Sequence, residues 1–184
     1  GLVYYGPDPS RDSQMAGFGQ VDFKITAALT VTAGLRFAHS KFEYSNFQDG
    51  PFNTGPSGSS GGDSENDNTP KVGIDYKPNE NLMFYVSAAK GFRPGGANTP
   101  VSPVLCGPDL QRLGLTEAPA NYTSDHVWSY EAGSKGNALN HRVEWDASAF
   151  YVKWSNIESE VDLPSCGFDY ISNLGTAISK GFDL

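Results

Sequence analysis

The chain has 184 residues, 38% of them hydrophobic, and a mean hydropathy of −0.41, which allows one domain but no apolar run able to cross a membrane as a helix. A formal net charge of −8 excludes nucleic acid as a partner, since that would call for a basic stripe. Two cysteines and three scattered histidines fit no zinc template.

From residue 20 the pattern alternates with period two, and helical periodicity is almost absent. Val21, Phe23 and Ile25 share one face against Gln20, Asp22 and Lys24. After a tight turn at 26–28, Leu29, Val31, Ala33, Leu35 and Phe37 oppose Thr30, Thr32, Gly34 and Arg36. Residues 43–69 then form a long connection rich in Gly, Pro, Ser, Asn and Asp. A third strand sets Val72, Ile74 and Tyr76 against Lys71, Gly73 and Asp75. The turn at 77–81 leads to a fourth, with Leu82, Phe84, Val86 and Ala88 on one face. Residues 93–127 are the second long connection. Trp128, Tyr130 and Ala132 next oppose Ser129, Glu131 and Gly133. Beyond the turn at 136–141, Val143, Trp145, Ala147, Ala149 and Tyr151 oppose Glu144, Asp146 and Ser148. A third long connection at 155–170 precedes a seventh strand carrying Leu174, Thr176, Ile178 and Phe182 on one face.

Alternation alone suits a soluble sandwich as well as a membrane barrel, because both bury one face of each strand. The connections separate the two. Short and long ones strictly alternate, which in a meander collects the turns at one end and the loops at the other, as in an outer-membrane barrel with periplasmic turns and extracellular loops. Loops of about 27 and 35 residues without structure of their own are also foreign to a compact soluble domain. The expected fold is therefore all-β, an antiparallel up-and-down transmembrane barrel of which residues 1–184 supply about seven strands. Phe37, Phe42, Tyr44 and Phe47, with Trp128, Tyr130, Tyr151 and Trp154, cluster where strands meet long loops, as a boundary girdle would, although ordinary sheet enrichment accounts for any single ring equally well. Asp22, Arg36, Glu131, Lys135 and Asp146 lie on the polar face, where a wet lumen tolerates them. The start at Gly1 and the end in the strand-like "SKGFDL" suggest a piece of something longer.

"FYVSAAKGFRPGGAN" (84–98) resembles a strand and loop base of TonB-dependent outer-membrane receptors. "WSYEAGSKG" (128–136), "ASAFYVKWSNI" (147–157), "CGFDYISNLGTAISKGFDL" (166–184) and "VTAGLRF" (31–37) are similar to other strands of the same barrels, in family order. The resemblance implies a barrel of about 22 strands filled by a plug. It further implies import of a scarce nutrient, such as a ferric siderophore, haem, cobalamin or an oligosaccharide, driven by TonB and its energising complex. Neither the plug nor the closing strand is among these residues. The expected partners are outer-membrane lipid, TonB through the plug, and a small-molecule nutrient or metal chelate.

In that frame the strand at 82–88 faces lipid on alternate positions, and Pro94-Gly95-Gly96 turns the chain into an extracellular loop. Arg93 at that point could hold an anionic ligand with its planar fork, or pair with a neighbouring acid or headgroup. Tyr122, Trp128 and Trp154 could line an aromatic vestibule, or serve the girdle. Asp63, Glu65 and Asp67 are calcium-type ligands, but without a complete loop motif they read as a solvated acidic loop. "AGFGQVD" lacks the third glycine, the lysine and the helix of a phosphate loop. Cys106 and Cys166 fall in two long loops on the same side of one hairpin, which motivates a disulfide between them. No nucleophile, base and acid assemble into a catalytic set, and no cofactor or metal site is expected. Two alternatives stay open, a soluble extracellular carbohydrate-binding β-sandwich and a passive porin.

Overall fold

The computed structural model describes residues 5–50 and 56–184. In chain order the elements are β1 (Ser10–Lys24), β2 (Leu29–Gln48), β3 (Ser57–Asn79), β4 (Leu82–Arg93), β5 (Gly96–Ala97), α1 (Pro103–Arg112), β6 (Asn121–Tyr122), β7 (Asp125–Ala138), β8 (Val143–Ser155), β9 (Glu158–Leu163), β10 (Phe168–Asn173) and β11 (Thr176–Asp183). Seven of the strands form one antiparallel sheet in the order β1-β2-β3-β4-β7-β8-β11, open at both edges. The seven strands expected from alternation are these seven.

Register explains why the alternation was so legible. One row of partners crosses the whole sheet as Phe23, Val31, Ile74, Val86, Ala132, Ala149 and Phe182, all apolar. One position along, the row reads Asp22, Thr32, Gly73, Ser87, Glu131, Phe150 and Gly181, with Phe150 packed over Gly181. A slip of one residue would move a strand's apolar set to the other face, and in β1, β3, β7 or β11 could bring Asp22, Asp75, Glu131 or Asp183 into the apolar row, so the two environments fix the pairing. Among the described residues no second sheet covers the apolar face, and Phe23 remains 65% and Phe182 82% exposed. That arrangement excludes the sandwich, whose apolar face would pack on a second layer. In a barrel the same face meets acyl chains and the polar face lines the lumen.

The polar face is satisfied across strands. Thr32 Oγ1 donates to Asp22 at 2.6 Å, Arg36 donates to Gln14 at 2.6 Å, and Gln14 donates to Ser40 at 2.9 Å. Lys135 pairs with Asp146 at 2.6 Å, and Tyr85 donates to Glu131. At the turn end, Thr26 Oγ1 accepts from the amides of Ala28 and Leu29, and Asn79 Oδ1 accepts from that of Asn81. The β7–β8 turn holds Leu139, Asn140 and His141 in succession at φ 54°, 58° and 62°.

The loop end departs from expectation. Residues 43–69 are not a structureless loop: β2 and β3 stay paired from Leu29↔Tyr76 to Gln48↔Ser57, with residues 51–55 outside the described part. A strand of 20 residues is about twice the length a bilayer demands, so this hairpin rises as a tower. Both its faces leave the hydrocarbon, so its ladder persists while its alternation lapses. The aromatics expected as one girdle group divide accordingly. Phe37 shares the apolar face, whereas Phe42 and the buried Tyr44 sit on the other.

The other two long connections also carry structure. Residues between β4 and β7 contain β5, α1 and β6, while those between β8 and β11 contain the β9–β10 hairpin. Together they build an extracellular cap with its own core of Val101, Cys106, Leu110, Leu163 and Tyr170. Ser102 caps α1 by accepting from Leu105 N, and Pro103 begins it. Cys106 and Leu110, one turn apart, then both face inward. Cys106 and Cys166 form a disulfide with Cα atoms 5.2 Å apart. Asn98 ties the two insertions together, giving hydrogen bonds to Pro119 O and Ile171 O at 2.9 and 2.8 Å and accepting one from Ile171 N at 2.8 Å.

Candidate functional site

Where β4 meets the cap, local pairing sets the first contact. Arg93 ends β4, Asp125 begins β7, and the two are direct cross-strand partners. The Arg93 guanidinium donates to Asp125 Oδ2 from Nη2 at 2.5 Å and from Nε at 3.1 Å. It also pairs with Glu158 Oε2 at 3.1 Å and donates to the Glu158 carbonyl at 2.9 Å. Its carbon lies 5.6 Å from the ring centroid of Trp154, within the range of a cation–π contact. The acids are deep, with 3% and 7% of their side chains exposed, while Arg93 is half exposed.

The glycines of the Pro94-Gly95-Gly96 turn are required by close approach. A Cβ on Gly95 would collide with the backbone of Tyr122 and Thr123, and one on Gly96 would lie 2.6 Å from the Tyr122 hydroxyl. This contact brings Tyr122 over the β4 exit. Tyr122, Asp12, Gln14, Ser40, Phe42 and Pro94 line a cavity there.

β3 supplies the third wall. Asp63, Glu65 and Asp67 alternate onto one face, and each reaches the loop base. Asp63 accepts from Asn121 at 3.2 Å. Glu65 accepts from the amides of Gly95 and Ser124 at 3.2 and 2.8 Å and from the Ser124 hydroxyl. Asp67 pairs with Ser124 Oγ at 2.8 Å and His126 Nε2 at 2.9 Å. β3 can reach across because its pairing with β4 begins only at Lys71↔Ala89: Pro70, just before it, lacks an amide hydrogen, and the residues ahead of Pro70 stand apart from β4. The expected solvated acidic loop is thus a strand with engaged carboxylates. Among the described residues no group of three or more His, Cys, Asp or Glu is arranged to hold a metal.

The electrostatics are unbalanced. Burial, with the charges of Asp125 and Glu65 added, pushes the Glu158 carboxyl up to about 7 although Arg93 opposes the shift. Burial first, then the charges of Glu158 and Asp12, raise the Tyr122 hydroxyl. Glu158 Oε1 and Trp154 Nε1 are buried with no hydrogen-bond partner.

Of the four ligand candidates, the structure brings Arg93, Tyr122 and Trp154 to one mouth and leaves Trp128 elsewhere. Trp128 shares the apolar face with Tyr130 and Tyr151, stacked on Tyr130 at 5.9 Å and 14°, at the height where Lys90 and Lys153 replace aliphatic partners. Asp125 and Glu158 were missed as site residues, and Glu65 was read as part of a solvated acidic loop. The period-two spacing of Asp63, Glu65 and Asp67 was the one available signal.

This geometry, an open barrel sheet with a polar mouth under a folded cap, meets a family model described as "TonB dependent receptor-like, beta-barrel", which matches residues 2–184. The chain belongs to that family. The receptor barrel is an outer-membrane fold, and its strands run in the order expected from 31–37 through 166–184. The metal-pseudopaline receptor CntO of Pseudomonas aeruginosa is 28% identical over 116 residues, which is 63% of this chain and 14% of that protein. The ferric yersiniabactin uptake receptor FyuA from Yersinia pestis superposes with a TM-score of 0.72 at 18% identity, over 98% of this chain and 24% of that one. The ferric-catecholate import receptor Fiu from K12 E. coli gives 0.67 at 18% identity, over 95% and 25%. At such identities the superpositions speak for the fold, and the chain spans about a quarter or less of the length of these three proteins.

Proposed function

We propose that this barrel segment belongs to an active uptake receptor for a scarce metal chelate, gated by a plug and energised through TonB. The relatives whose names specify a cargo are receptors for metal or ferric chelates, which favours a chelate over an oligosaccharide. The observation that carries the reading is the mouth itself. Arg93, Tyr122 and Trp154 come from three different stretches of chain onto the open end of the lumen, and the disulfide-tied cap shapes the approach to them. Binding and gated passage break no covalent bond, so the protein acts without catalysis. Trp128 marks the membrane boundary in this reading and does not touch the cargo.

The test is uptake of radiolabelled ferric chelate by cells carrying or lacking the full-length gene under iron limitation. Gene-dependent uptake that disappears with a protonophore or with loss of TonB is the expected result. Uptake indifferent to both would establish the passive porin instead.

A further inference from the structure

We propose that the lipid-facing side of the sheet carries a binding site for a phosphorylated glycolipid of the outer leaflet, in which Lys90, Lys153 and Lys180 take the phosphates and Trp128, Tyr130 and Tyr151 the sugar. The site lies outside the barrel and is independent of the cargo.

Register places it. Lys90, Trp128, Lys153 and Ile178 are partners in one rung across β4, β7, β8 and β11, and the next rung of the same face toward the turns reads Ala88, Tyr130, Tyr151 and Lys180. Both continue the apolar row of Val86, Ala132, Ala149 and Phe182. From Leu82 at the turn end to Lys90 the strand advances about 27 Å, which is about 20 Å of height at the tilt of a barrel strand. The apolar band of such a barrel is about 25 Å tall, so Lys90 and Lys153 stand near its extracellular edge. Their stems lie on apolar surface there and carry the ammonium groups up to the headgroups.

The charge on this face has one sign. Although the chain is strongly acidic, Asp125, Glu131, Glu144, Asp146 and Asp183, the acids of these four strands, all fall on the lumen face. Lys135 on the lumen face pairs with Asp146 at 2.6 Å, whereas among the described residues no acid pairs with Lys90, Lys153 or Lys180. Three ammonium groups at the edge of the hydrocarbon call for an anion supplied by the bilayer, and the headgroup anion at that depth is phosphate.

The rings narrow the headgroup to a sugar. Trp128 stacks on Tyr130 at 5.9 Å and 14°, and Tyr130 meets Tyr151 at 6.3 Å, which makes a continuous aromatic surface between Lys90 on β4 and Lys180 on β11. Tyr130 and Tyr151 are 44% and 38% exposed on that surface. Lys90 and Lys153 stand two strand spacings apart, about 10 Å, and Lys180 lies diagonal to Lys153 at about 7 to 8 Å. A phosphorylated disaccharide, with C–H faces to lay on the rings and phosphates at its rim, fills that footprint, and a single glycerol phosphate does not.

Binding is measured by native mass spectrometry on the full-length receptor in detergent micelles, with bisphosphorylated lipid A, its monophosphorylated form and phosphatidylglycerol as probes. The bisphosphorylated form should bind about tenfold tighter than the monophosphorylated one, and phosphatidylglycerol should bind more weakly than either. Lys90→Gln combined with Lys153→Gln and Lys180→Gln should bring the three within about twofold, with strand content checked by circular dichroism. Lys71→Gln, on the lumen face, should leave the order unchanged. Equal binding of the three probes by the unaltered receptor would overturn the site, as would an order that survives the triple substitution. TonB-dependent uptake is a separate readout, and the uptake reading stands under either result.

Discussion

In the sheet, Phe23 and Phe182 are 65% and 82% exposed, whereas in the cap Leu110 and Leu163 are 1% and 0% exposed. The sheet keeps its apolar side chains on the outside because its solvent there is lipid, and its order comes from the backbone ladder and the polar pairs of the lumen face. The cap stands in water and must bury its own apolar groups, but it has few of them. It therefore adds a disulfide, a capped helix and the asparagine cross-link of Asn98. The two regions should accordingly fail under different insults.

The largest separation should follow loss of the disulfide. Cys106 and Cys166 close a sequence separation of 60, for which chain entropy gives about 4 kcal/mol. In the full-length receptor, replacing both with serine should expose residues 98–118 and 158–171 to limited proteolysis while the strand signal in circular dichroism is kept. Melting of the barrel together with the cap would show that the two are one cooperative unit.

Next comes a charge placed in the apolar row. Val86→Arg should destabilise the barrel in a bilayer by about 3 kcal/mol, the cost of arginine near the midplane, and should leave cap proteolysis unchanged. Ser87→Arg, one residue along and facing the lumen, is the control and should cost far less. Equal urea midpoints for the two variants would remove the distinction between the faces, and a lower midpoint for Ser87→Arg would invert their assignment. Asn98→Ala, which strips Ile171 N and two carbonyls of their partner, should cost the cap about 2 kcal/mol and the sheet nothing. Differential hydrogen exchange on the β10 amides reads it directly.

What was legible in the sequence divides along the same line. Val31, Ile74 and Val86 announced their strands because a lipid face forces every second residue to be apolar. The upper halves of β2 and β3 were unreadable, since "SNFQ" and "SGSSGG" lie beyond the hydrocarbon and obey only the ladder. α1 hid behind Gly107 and Pro108, both poor helix formers inside it. Arg93, Tyr122, Trp154 and the two cysteines were visible as unusual residues at loop bases. Asp125 and Glu158 were not, and Glu65 was visible only as one of an acidic trio, because their roles arise from the docking of the cap on β3 and β4, at separations no local pattern encodes.

The smallest effect concerns that docking. Glu158 has its carboxyl raised from an ordinary 4.5 to about 7, chiefly by burial and then by the neighbouring Asp125 and Glu65 charges, against the pull of Arg93. A carboxyl raised on folding means that the folded state binds a proton more tightly than the unfolded one. Its contribution is therefore fully present below about 4.5 and is lost as pH rises through about 7. Protection of the β9 amides against hydrogen exchange, corrected for intrinsic rates, should accordingly fall between pH 5 and pH 8, and Glu158→Gln should flatten the profile. If the slope survives unchanged in Glu158→Gln, this carboxyl is not the sensitive group, and the cap is held at Arg93 independently of pH.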